Sequence, residues 1–373
     1  MNTANSYEKP IIREGTEDDK AAVLRLVSAV TDQDTAEDKE RLWGWWVNDG
    51  PLCTDSTRTR MKVVEQNNEI VGVVFLAPFE LSLMKGSVIG WWFQTIMMHP
   101  KYPGLGYKLV RHVLAEDNYY FGFPFPRLIT WYARASKSVR GDFHVVARIF
   151  DMTLPLDLGH LVKRRRPRIA LFQPLISLSW IPVRFFYTFR WVKTLRTLPN
   201  VSFEEKSVLC EEIDELWERY DKKSHITAVR NRRYLTWRFL KAPKDLRYRV
   251  MGATINGKLM GYMVYRTGDD RTVSTGFIVD FLVDSEQQEV FRGLLATTLL
   301  HLKKNGVKQV RASIAEGMRE YSHSLRYMGF IIKSETNALI GMSPRTSEYL
   351  EESNRWNNPE KWYVTRADSD LDL

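Results

Sequence analysis

The stretch of sequence that decides the fold is MMHPKYPGLGYKLVRHVL, residues 97–114. It leads from the end of a strand-like run, through a glycine-rich break at 99–106, into an amphipathic helix predicted from 107 to 115. Glycines allow the backbone to approach a ligand closely, and the free N–H groups at the start of a helix attract anions. The loop therefore predicts an anion-binding site, to which Lys101 and Lys108 add positive charge.

Short strands and helices are predicted on both sides of this loop. Before it come a strand at 10–13, a helix after the acidic N-cap at 16–19, a helix at 37–47, a hairpin around Asn67-Asn68 and a strand at 87–98. After the helix that follows the loop, residues 128–134 are predicted to form one more strand. The first half thus runs hairpin, strand, helix, strand.

The second half of the chain repeats this order. Its predicted elements are a helix at 211–220, a hairpin with an Asn256-Gly257 turn, a strand at 275–283, a helix at 290–304, a strand at 309–314, a helix at 321–328 and a strand at 330–333. The repetition indicates a divergent internal duplication. We expect an α/β (mixed α+β) chain with two similar domains, each a twisted mixed sheet flanked by helices.

Length, composition and charge agree with two globular domains. A chain of 373 residues is too long for one ordinary core, and 44% hydrophobic with 27% charged residues excludes a disordered or fibrous protein. The net charge of +9 favours anionic partners such as nucleic acid, a phosphate-rich cofactor or an anionic membrane. Only Cys53 and Cys210 are present, so we expect neither disulfides nor a metal site. The polar N-terminus lacks a secretory pattern, which places the chain in the cytoplasm.

One segment differs from the rest, LVKRRRPRIALFQPLISLSWIPVRFFYTFRWV at 161–192. Its longest uncharged run, 169–183, is shorter than the roughly 20 residues needed to span a bilayer. Basic residues among aromatic ones are typical of a segment at a membrane surface, where cations meet anionic headgroups. A buried connection between the domains is the alternative. Both interpretations stay open, and the first makes an anionic membrane surface, at the inner membrane, a partner of 163–192.

The element order and the run Lys101-Tyr102-Pro103-Gly104-Leu105-Gly106 resemble the GCN5-related N-acetyltransferase (GNAT) superfamily. The hallmark of that family is Gln/Arg-x-x-Gly-x-Gly/Ala between the fourth strand and the next helix, and Lys101 replaces the Gln or Arg here. The resemblance implies that the loop holds the pyrophosphate of an acyl- or acetyl-coenzyme A co-substrate. The donor-binding residues that it implies are Met98, Lys101, Gly104, Leu105, Gly106, Tyr107 and Lys108.

The second half departs from the family pattern at two places. Its matching loop, 283–289, is acidic and has no glycine pair, and negative charge repels a pyrophosphate. The run SLRYMGF at 324–330 looks like the closing helix-to-strand junction of the family, but Leu325 stands where a tyrosine, often the general acid, is usual. The second domain is therefore expected to be GNAT-like in shape, with a substrate-side or scaffold role. The expected domain boundaries are 1–160, an insert at 161–200, 201–345, and a tail at 346–373.

The runs RYLTWRFLKAP at 233–243 and WYVTRADSDLD at 362–372 resemble tandem GNAT proteins of bacterial surface glycans and envelope lipids. This resemblance implies either an amino sugar or a lipid amine as the acyl acceptor. The basic and aromatic insert slightly favours the lipid, as in bacterial ceramide synthesis by GNAT-like enzymes, a branch of sphingolipid biosynthesis.

Acyl transfer from a thioester to an amine needs a polarised carbonyl, a neutral amine and a proton for the leaving thiolate. In the family a backbone N–H of the fourth strand, here 96–99, holds the carbonyl oxygen. Where the family often has a glutamate base, this strand has Gln94 and Thr95. The candidate base is His99, with a turn-capping role before Pro100 as the alternative.

Further candidates come from both halves. Tyr132 is a candidate acid toward the sulfur or else a structural tyrosine, and Asp280, alone on an apolar strand, either binds the incoming ammonium or makes a structural hydrogen bond. The candidate substrate-binding residues are Gln94, Arg233, Trp237, Arg238 and Asp368.

Two other functional classes remain open at this stage. A non-catalytic, membrane-docking protein built on degenerate GNAT domains would suit Gln94 and Leu325, but the intact glycine loop argues against it. An aminoacyl-tRNA-dependent transferase would suit the basic charge, but the long helical arm usual in that family is not evident. A nucleic-acid partner is therefore not favoured.

Overall fold

A computed structural model describes residues 9–30, 40, 43–45, 50, 52, 59–83, 86–116, 118–159, 162, 167–220, 225–243, 246–270, 273–343 and 356–368. Its strands are β1 (Ile11–Glu14), β2 (Arg60–Gln66), β3 (Glu69–Leu83), β4 (Gly86–Met98), β5 (Tyr119–Gly122), β6 (Asp142–Pro155), β7 (Val201–Lys206), β8 (Thr227–Ala228), β9 (Arg249–Ile255), β10 (Lys258–Asp270), β11 (Val273–Val283), β12 (Gln309–Ala315) and β13 (Ile331–Ser343).

The α-helices are α1 (Lys20–Val30), α2 (Leu105–Leu114), α3 (Pro126–Ser138), α4 (Gln173–Ser179), α5 (Ile181–Arg196), α6 (Glu212–Arg219), α7 (Arg232–Leu235), α8 (Gln288–Lys304) and α9 (Arg319–Tyr327). Short 3-10 helices lie at Glu17–Asp19, Pro167–Phe172, Pro359–Lys361 and Arg366–Asp368, and a π-helical turn at Thr236–Leu240.

The chain forms two compact units, and each is built from segments that are far apart in sequence. Of the described residues, the first unit takes those up to Ser82, Gly86–Ala147 and Asn337–Asn358. The second takes Arg148–Thr336, the short piece at Leu83 and the segment from Pro359 onward. Strands β6 and β13 therefore each contribute residues to both units.

In the first unit the strand order is β1-β2-β3-β4-β5-β13. The β2–β3 turn has both Asn67 and Asn68 at positive φ, 54° and 59°, as a type I′ hairpin requires, so the predicted hairpin is confirmed. Successive strand residues pack on opposite faces. Val64 and Val74 face a core closed by α2 and α3, whereas Val63 and Val73 face a second core under α1.

In the second unit the strand order is β6-β12-β11-β10-β9-β7. The β9–β10 hairpin turns on Asn256 and Gly257, again both at positive φ, and confirms that prediction. Helix α8 connects the parallel strands β11 and β12 and buries Val290, Leu294 and Leu299 against the sheet. Each fully buried aliphatic side chain of this kind stabilises the fold by roughly 1.5–3 kcal/mol.

One predicted element is wrong. Residues 128–134, predicted as a strand, lie inside helix α3, which begins with Pro126 in its first turn and buries Tyr132, Ala135 and Ser136 on one face. The β-branched and aromatic residues of LITWY favour a strand locally, but packing at helical spacing overrides that preference. The strand expected here is β6. The helix predicted at 37–47 and Cys53 lie largely or wholly outside the described residues, and Cys210 is a free, exposed thiol.

The basic and aromatic segment contributes α4 and α5 to the second unit. Trp191 is buried, its indole N–H donates to the carbonyl of Met328 at 3.1 Å, and its ring stacks on Tyr187. This contact fixes one face of α5. Within the described part of the chain, no helix has both the length and the hydropathy to cross a membrane.

Candidate functional site

Strands β4 and β5 of the first unit pair only over a short distance. Their parallel register joins Gly90–Trp92 to Tyr119–Phe121, while β4 continues to Met98. Trp91 and Trp92 are buried, but the residues from Phe93 to Met98 are all partly exposed. The strands therefore separate beyond Trp92 and leave an opening at the carboxyl end of β4, where α/β proteins commonly bind ligands.

The side-chain pattern of β4 changes within this opening. Trp91 and Phe93 pack on the core under α2, but farther along the strand Ile96 and Met98 pack there and Met97 packs on the core under α1. Side chains alternate between the two faces of a regular strand, so odd-numbered residues should stay on one face. Here the face under α2 passes from odd to even residues, which indicates a bulge between Phe93 and Ile96. A bulge leaves backbone groups unpaired, which supports a backbone N–H of this stretch as a hydrogen-bond donor to a ligand.

The loop between β4 and α2 presents open backbone to this opening. Gly104 has φ +87°, and a side chain built on it would meet no atom within 4 Å. At Gly106 the only close atom is Cζ2 of Trp131, at 4.0 Å. Among the described residues no side chain caps α2, and of its first-turn N–H groups only that of Leu105 has a carbonyl partner there, Tyr102 at 3.5 Å. Lys101 and Lys108 are both exposed beside them.

Tyr132 lies behind the opening rather than on a neighbouring strand. It is 6% exposed on α3, and its ring centroid is 5.7 Å from that of Phe93, at the point where β4 and β5 separate. Trp131 beside it contacts Tyr107 of α2, with 5.8 Å between centroids. Helix α3 thus brings Tyr132 to the opening in the first unit, which the strand prediction did not foresee.

Gln94 has an unusual side chain for a central strand. Its Oε1 is buried, and no hydrogen-bond donor to it lies among the described residues. A buried carbonyl oxygen without a donor costs about 1–3 kcal/mol. This oxygen is therefore suited to accept a hydrogen bond from a bound ligand, such as an amine N–H.

His99 is held in the geometry of a turn. Its ring Nδ1 accepts a hydrogen bond from the backbone N–H of Lys101 at 3.3 Å, and its own backbone N–H donates to the carbonyl of Val71 at 2.9 Å. With Nδ1 accepting, the proton of the neutral ring is on Nε2. This arrangement supports the turn-capping interpretation and gives no observation in favour of His99 as a base. It also removes the His99 N–H from the donors available to a thioester carbonyl.

The second unit has a matching separation of strands, but protein fills it. Strands β11 and β12 pair in parallel only over Thr275–Ile278 and Gln309–Ala312. Beyond that point the C-terminal segment 362–368 lies between them: the N–H of Ala315 donates to Val364 at 3.2 Å, and the Tyr363 hydroxyl donates to the carbonyl of Phe281. We call this segment the C-terminal wedge.

A buried ion cluster holds the wedge in place. Arg230, with no exposed surface, donates to Asp280 at 3.1 Å and to Asp368 at 2.6 Å. Thr365 and Tyr262 donate to the Asp280 carboxylate at 2.7 and 2.9 Å. Asp280 is thus in a structural ion pair, which was the competing interpretation of this residue, and Asp368 belongs to the same cluster.

The cluster shifts the pKa values of Arg230 and Asp368, among others. Burial alone lowers the pKa of Arg230, but the charges of Asp280 and Asp368 outweigh burial and raise it well above its ordinary value. Burial raises the pKa of Asp368, and the positive charge of Arg230 opposes that rise only in part. Sequence reasoning missed Arg230, although Asp280, a lone carboxylate on an apolar strand, required a partner.

The other predicted substrate-binding residues are divided between surface and core. Arg233 is exposed on α7, whereas Trp237 and Arg238 are buried. Arg238 donates to the Tyr248 hydroxyl at 3.2 Å and to the carbonyl of Ala367 at 3.5 Å, so it also supports the wedge. The structure does not bring Arg233 together with Arg238 in one site.

The loop before α8 is acidic, whereas the loop before α2 has glycines and lysines. The carboxylate of Asp284 accepts the N–H of Glu286 at 3.2 Å and is paired with Arg219 at 2.9 Å. This carboxylate lies in the loop just before α8, whose N-cap Gln287 makes no side-chain capping hydrogen bond among the described residues, and its negative charge would repel an anionic ligand there. This supports the expectation that the acidic loop does not bind a pyrophosphate.

No protein-family model matches the chain, and no curated protein sequence matches it either. Solved structures do match. A tandem GNAT protein from the clavulanic acid biosynthesis pathway, solved without acetyl-CoA, is 13% identical, with 91% of this chain and 100% of that chain covered and a TM-score of 0.53. The chain has the tandem GNAT fold.

Two other solved structures are similar in fold to this chain. A probable N-acyltransferase from Enterococcus faecalis is 13% identical, covers 89% of this chain and 72% of its own, and has a TM-score of 0.58. The N-myristoyltransferase of Saccharomyces cerevisiae, solved with bound myristoyl-CoA, is 10% identical, covers 92% and 83%, and has a TM-score of 0.52. The fold class predicted from the sequence is thereby confirmed.

Proposed function

We propose that this tandem GNAT protein is an acyl-coenzyme A-dependent N-acyltransferase with its donor site in the first unit. The observation that carries the proposal is the opening between β4 and β5, which lies directly before a glycine loop and an uncapped helix N-terminus. The second unit has its equivalent opening filled by the wedge, and Asp284 places negative charge in the loop before its equivalent helix. One donor site per chain follows from this difference.

The donor would bind by two kinds of contact. Its pyrophosphate would accept hydrogen bonds from the first-turn N–H groups of α2, including those of Gly106 and Tyr107, and Lys101 and Lys108 would supply positive charge. Its thioester arm would enter the opening along β4, next to Met98. The positive φ at Gly104 keeps side-chain atoms out of the phosphate position.

The amine would then attack the thioester carbonyl directly. The carbon–nitrogen bond forms as the carbon–sulfur bond breaks. The amine loses one proton to water, the thiolate takes one from the Tyr132 hydroxyl, and water returns a proton to the Tyr132 oxygen, so that the products are the amide and free coenzyme A thiol. A backbone N–H of the bulged part of β4 would stabilise the carbonyl oxygen as its charge grows. Gln94 Oε1 would orient the amine by accepting a hydrogen bond from one of its N–H groups.

The proposed acceptor is a long-chain lipid amine of the sphingoid type, acylated to a ceramide-like amide at the inner membrane face. The support for it is the exposed apolar surface of α4 and α5, with the aromatic and basic residues of α5, which an enzyme acting on soluble sugars does not require. An amino sugar of an envelope polysaccharide is the alternative acceptor. A non-catalytic, membrane-docking role would leave the open donor loop without a purpose.

Mass spectrometry of the purified protein under native conditions tests the donor site. We expect bound coenzyme A or an acyl thioester, whose chain length separates the acceptor classes: a long chain favours the lipid and an acetyl group the sugar. Gly104→Trp should lower acyl-coenzyme A affinity at least about tenfold, because the indole would occupy the phosphate position.

Gly306→Trp is the matched control. Gly306 also has positive φ, +75°, and a side chain there would likewise enter open space, but the residue lies after α8 in the second unit. The backbone strain is therefore similar, and affinity should stay unchanged. If the wild-type protein binds neither acetyl- nor long-chain acyl-coenzyme A at millimolar concentration, the enzyme proposal is wrong and the docking function takes its place.

A further inference from the structure

Helix α5 has two apolar faces, and only one of them is used by the fold. The inner face packs in the second unit through Tyr187, Trp191 and Thr194, which follow one another at helical spacing. Arg190 strengthens this contact by donating to the carbonyl of Tyr327. The helix is thus held without any contribution from its outer face.

The outer face continues a hydrophobic stripe that begins before α4. Its members recur every three or four residues, and each is more than half exposed, up to 89% for Leu171 and 73% for Phe185. They are Leu171, Leu175, Leu178, Ile181, Phe185 and Phe189. We call this set the outer stripe. An exposed apolar surface of this continuity marks an interaction site in a folded protein.

The charge around the outer stripe has one sign. Between residues 160 and 200 the sequence has nine Lys and Arg residues and not one Asp or Glu. Arg168, Lys193 and Arg196 are exposed, and Arg184 adjoins Phe185. Lys303 of α8 joins this basic surface: it donates to Thr188 at 2.6 Å, and burial together with the charge of Arg184 lowers its pKa.

We propose that the outer stripe docks the protein on an anionic lipid bilayer, lying in the plane of the interface. Leucine and phenylalanine side chains would enter the boundary between headgroups and acyl chains, and the surrounding basic residues would contact lipid phosphates. A second copy of this chain fits the surface less well. Two such faces in a symmetric dimer would bring like charges together without any acid to pair them.

Flotation of the full-length protein with vesicles tests the docking. Vesicles of one part phosphatidylglycerol to two parts phosphatidylcholine should carry the protein upward, and vesicles of phosphatidylcholine alone should carry at least about tenfold less. Binding to the anionic vesicles should weaken at about 1 M salt, where the Debye length is about 3 Å. Absence of flotation with the anionic vesicles would overturn the proposal.

The double variant Phe185→Ser, Phe189→Ser assigns the binding to the outer stripe, and we expect at least a tenfold loss of flotation. Phe125→Ser is the matched control, since Phe125 is 61% exposed in the first unit, and it should float like the wild type. Because both serine changes are at exposed positions, circular dichroism should show an unchanged fold. Arg184→Glu provides a second variant that keeps the apolar surface and should also weaken flotation.

Equal flotation of the double variant and the wild type would rule out the outer stripe as the docking surface. A wild-type dimer in light scattering that the double variant converts to monomer would assign the surface to self-association instead. The docking proposal deepens the proposed function, whose lipid acceptor rests on the same surface, but its test is separate from acyl transfer, because flotation requires neither donor nor acceptor.

Discussion

Arg230 is fully buried between two carboxylates, Asp280 and Asp368, that the sequence suggested for substrate binding. This one cation gives both carboxylates a structural role. Asp280 and Asp368 are held by Arg230 and attach the wedge to β11. By contrast, Gln94 in the first unit keeps a buried oxygen without a donor among the described residues, which is the feature expected of a binding residue.

The variant Arg230→Met should be strongly destabilised, since it leaves two buried carboxylates without their cation. We expect the free energy of unfolding to fall by about 3–5 kcal/mol, measured by urea denaturation. Arg233→Met is the control: its side chain is exposed only three residues away, and the change should stay within about 0.5 kcal/mol. Similar values for the two variants would contradict a structural role of the cluster.

At the scale of elements, the start of α1 shows how local signals join a helix to a strand. Thr16 is the N-cap of the 3-10 turn that leads into α1, and its backbone N–H donates to the Asp19 carboxylate at 2.8 Å. Arg13 of β1 makes a bidentate pair with the same carboxylate, at 2.7 and 2.8 Å. The N-cap with an acidic first turn that the sequence predicts is confirmed. The Arg13 contact additionally links this turn to the sheet.

This pairing predicts a pH dependence. The hydrogen bonds from Arg13 lower the pKa of Asp19 from 3.8 to about 2, so Asp19 stabilises the fold above its unfolded pKa and less as pH falls toward about 2. Asp19→Asn should cost about 1 kcal/mol at pH 7, a value reduced by solvent screening at the partly exposed Arg13. In urea denaturation at a series of pH values, the difference from wild type should narrow below about pH 4. A difference that stays constant to pH 3 would contradict this account.

At the scale of the whole molecule, the two units divide the proposed functions. The first has the open strand separation and the uncapped α2, and the second has the filled separation and the outer stripe. Both keep the same order of hairpin, strand, helix and strand, as a duplication predicts. In the second unit the matching separation of strands is filled by the C-terminal wedge.

This division predicts that the two binding activities are separable. Gly104→Trp should lose acyl-coenzyme A binding and still float with anionic vesicles, whereas Phe185→Ser, Phe189→Ser should lose flotation and keep donor affinity. Isothermal titration with acyl-coenzyme A and flotation on the same preparations measure both. A variant that loses the two activities together, while circular dichroism shows it folded, would contradict the division.

The sequence by itself determined the features that depend on neighbouring residues. The hairpins at Asn67-Asn68 and Asn256-Gly257, the glycine loop before α2 and helix α8 follow from turn chemistry and from local periodicity, and the structure has all of them. The fold class followed from their order. Local signals also produced the error at 128–134, because a short apolar run does not distinguish a strand from a buried helix.

The tertiary structure alone decided which distant residues meet. That Tyr132 packs beside Phe93, that Arg230 pairs with Asp368, and that the C-terminal wedge fills the gap beside β11 all depend on contacts between residues far apart in the chain. No local pattern encodes such contacts, because they form only when packing and the need to pair buried charges are satisfied together. For this reason the glycine loop could be predicted from one stretch of sequence, whereas the filled strand separation of the second unit could not.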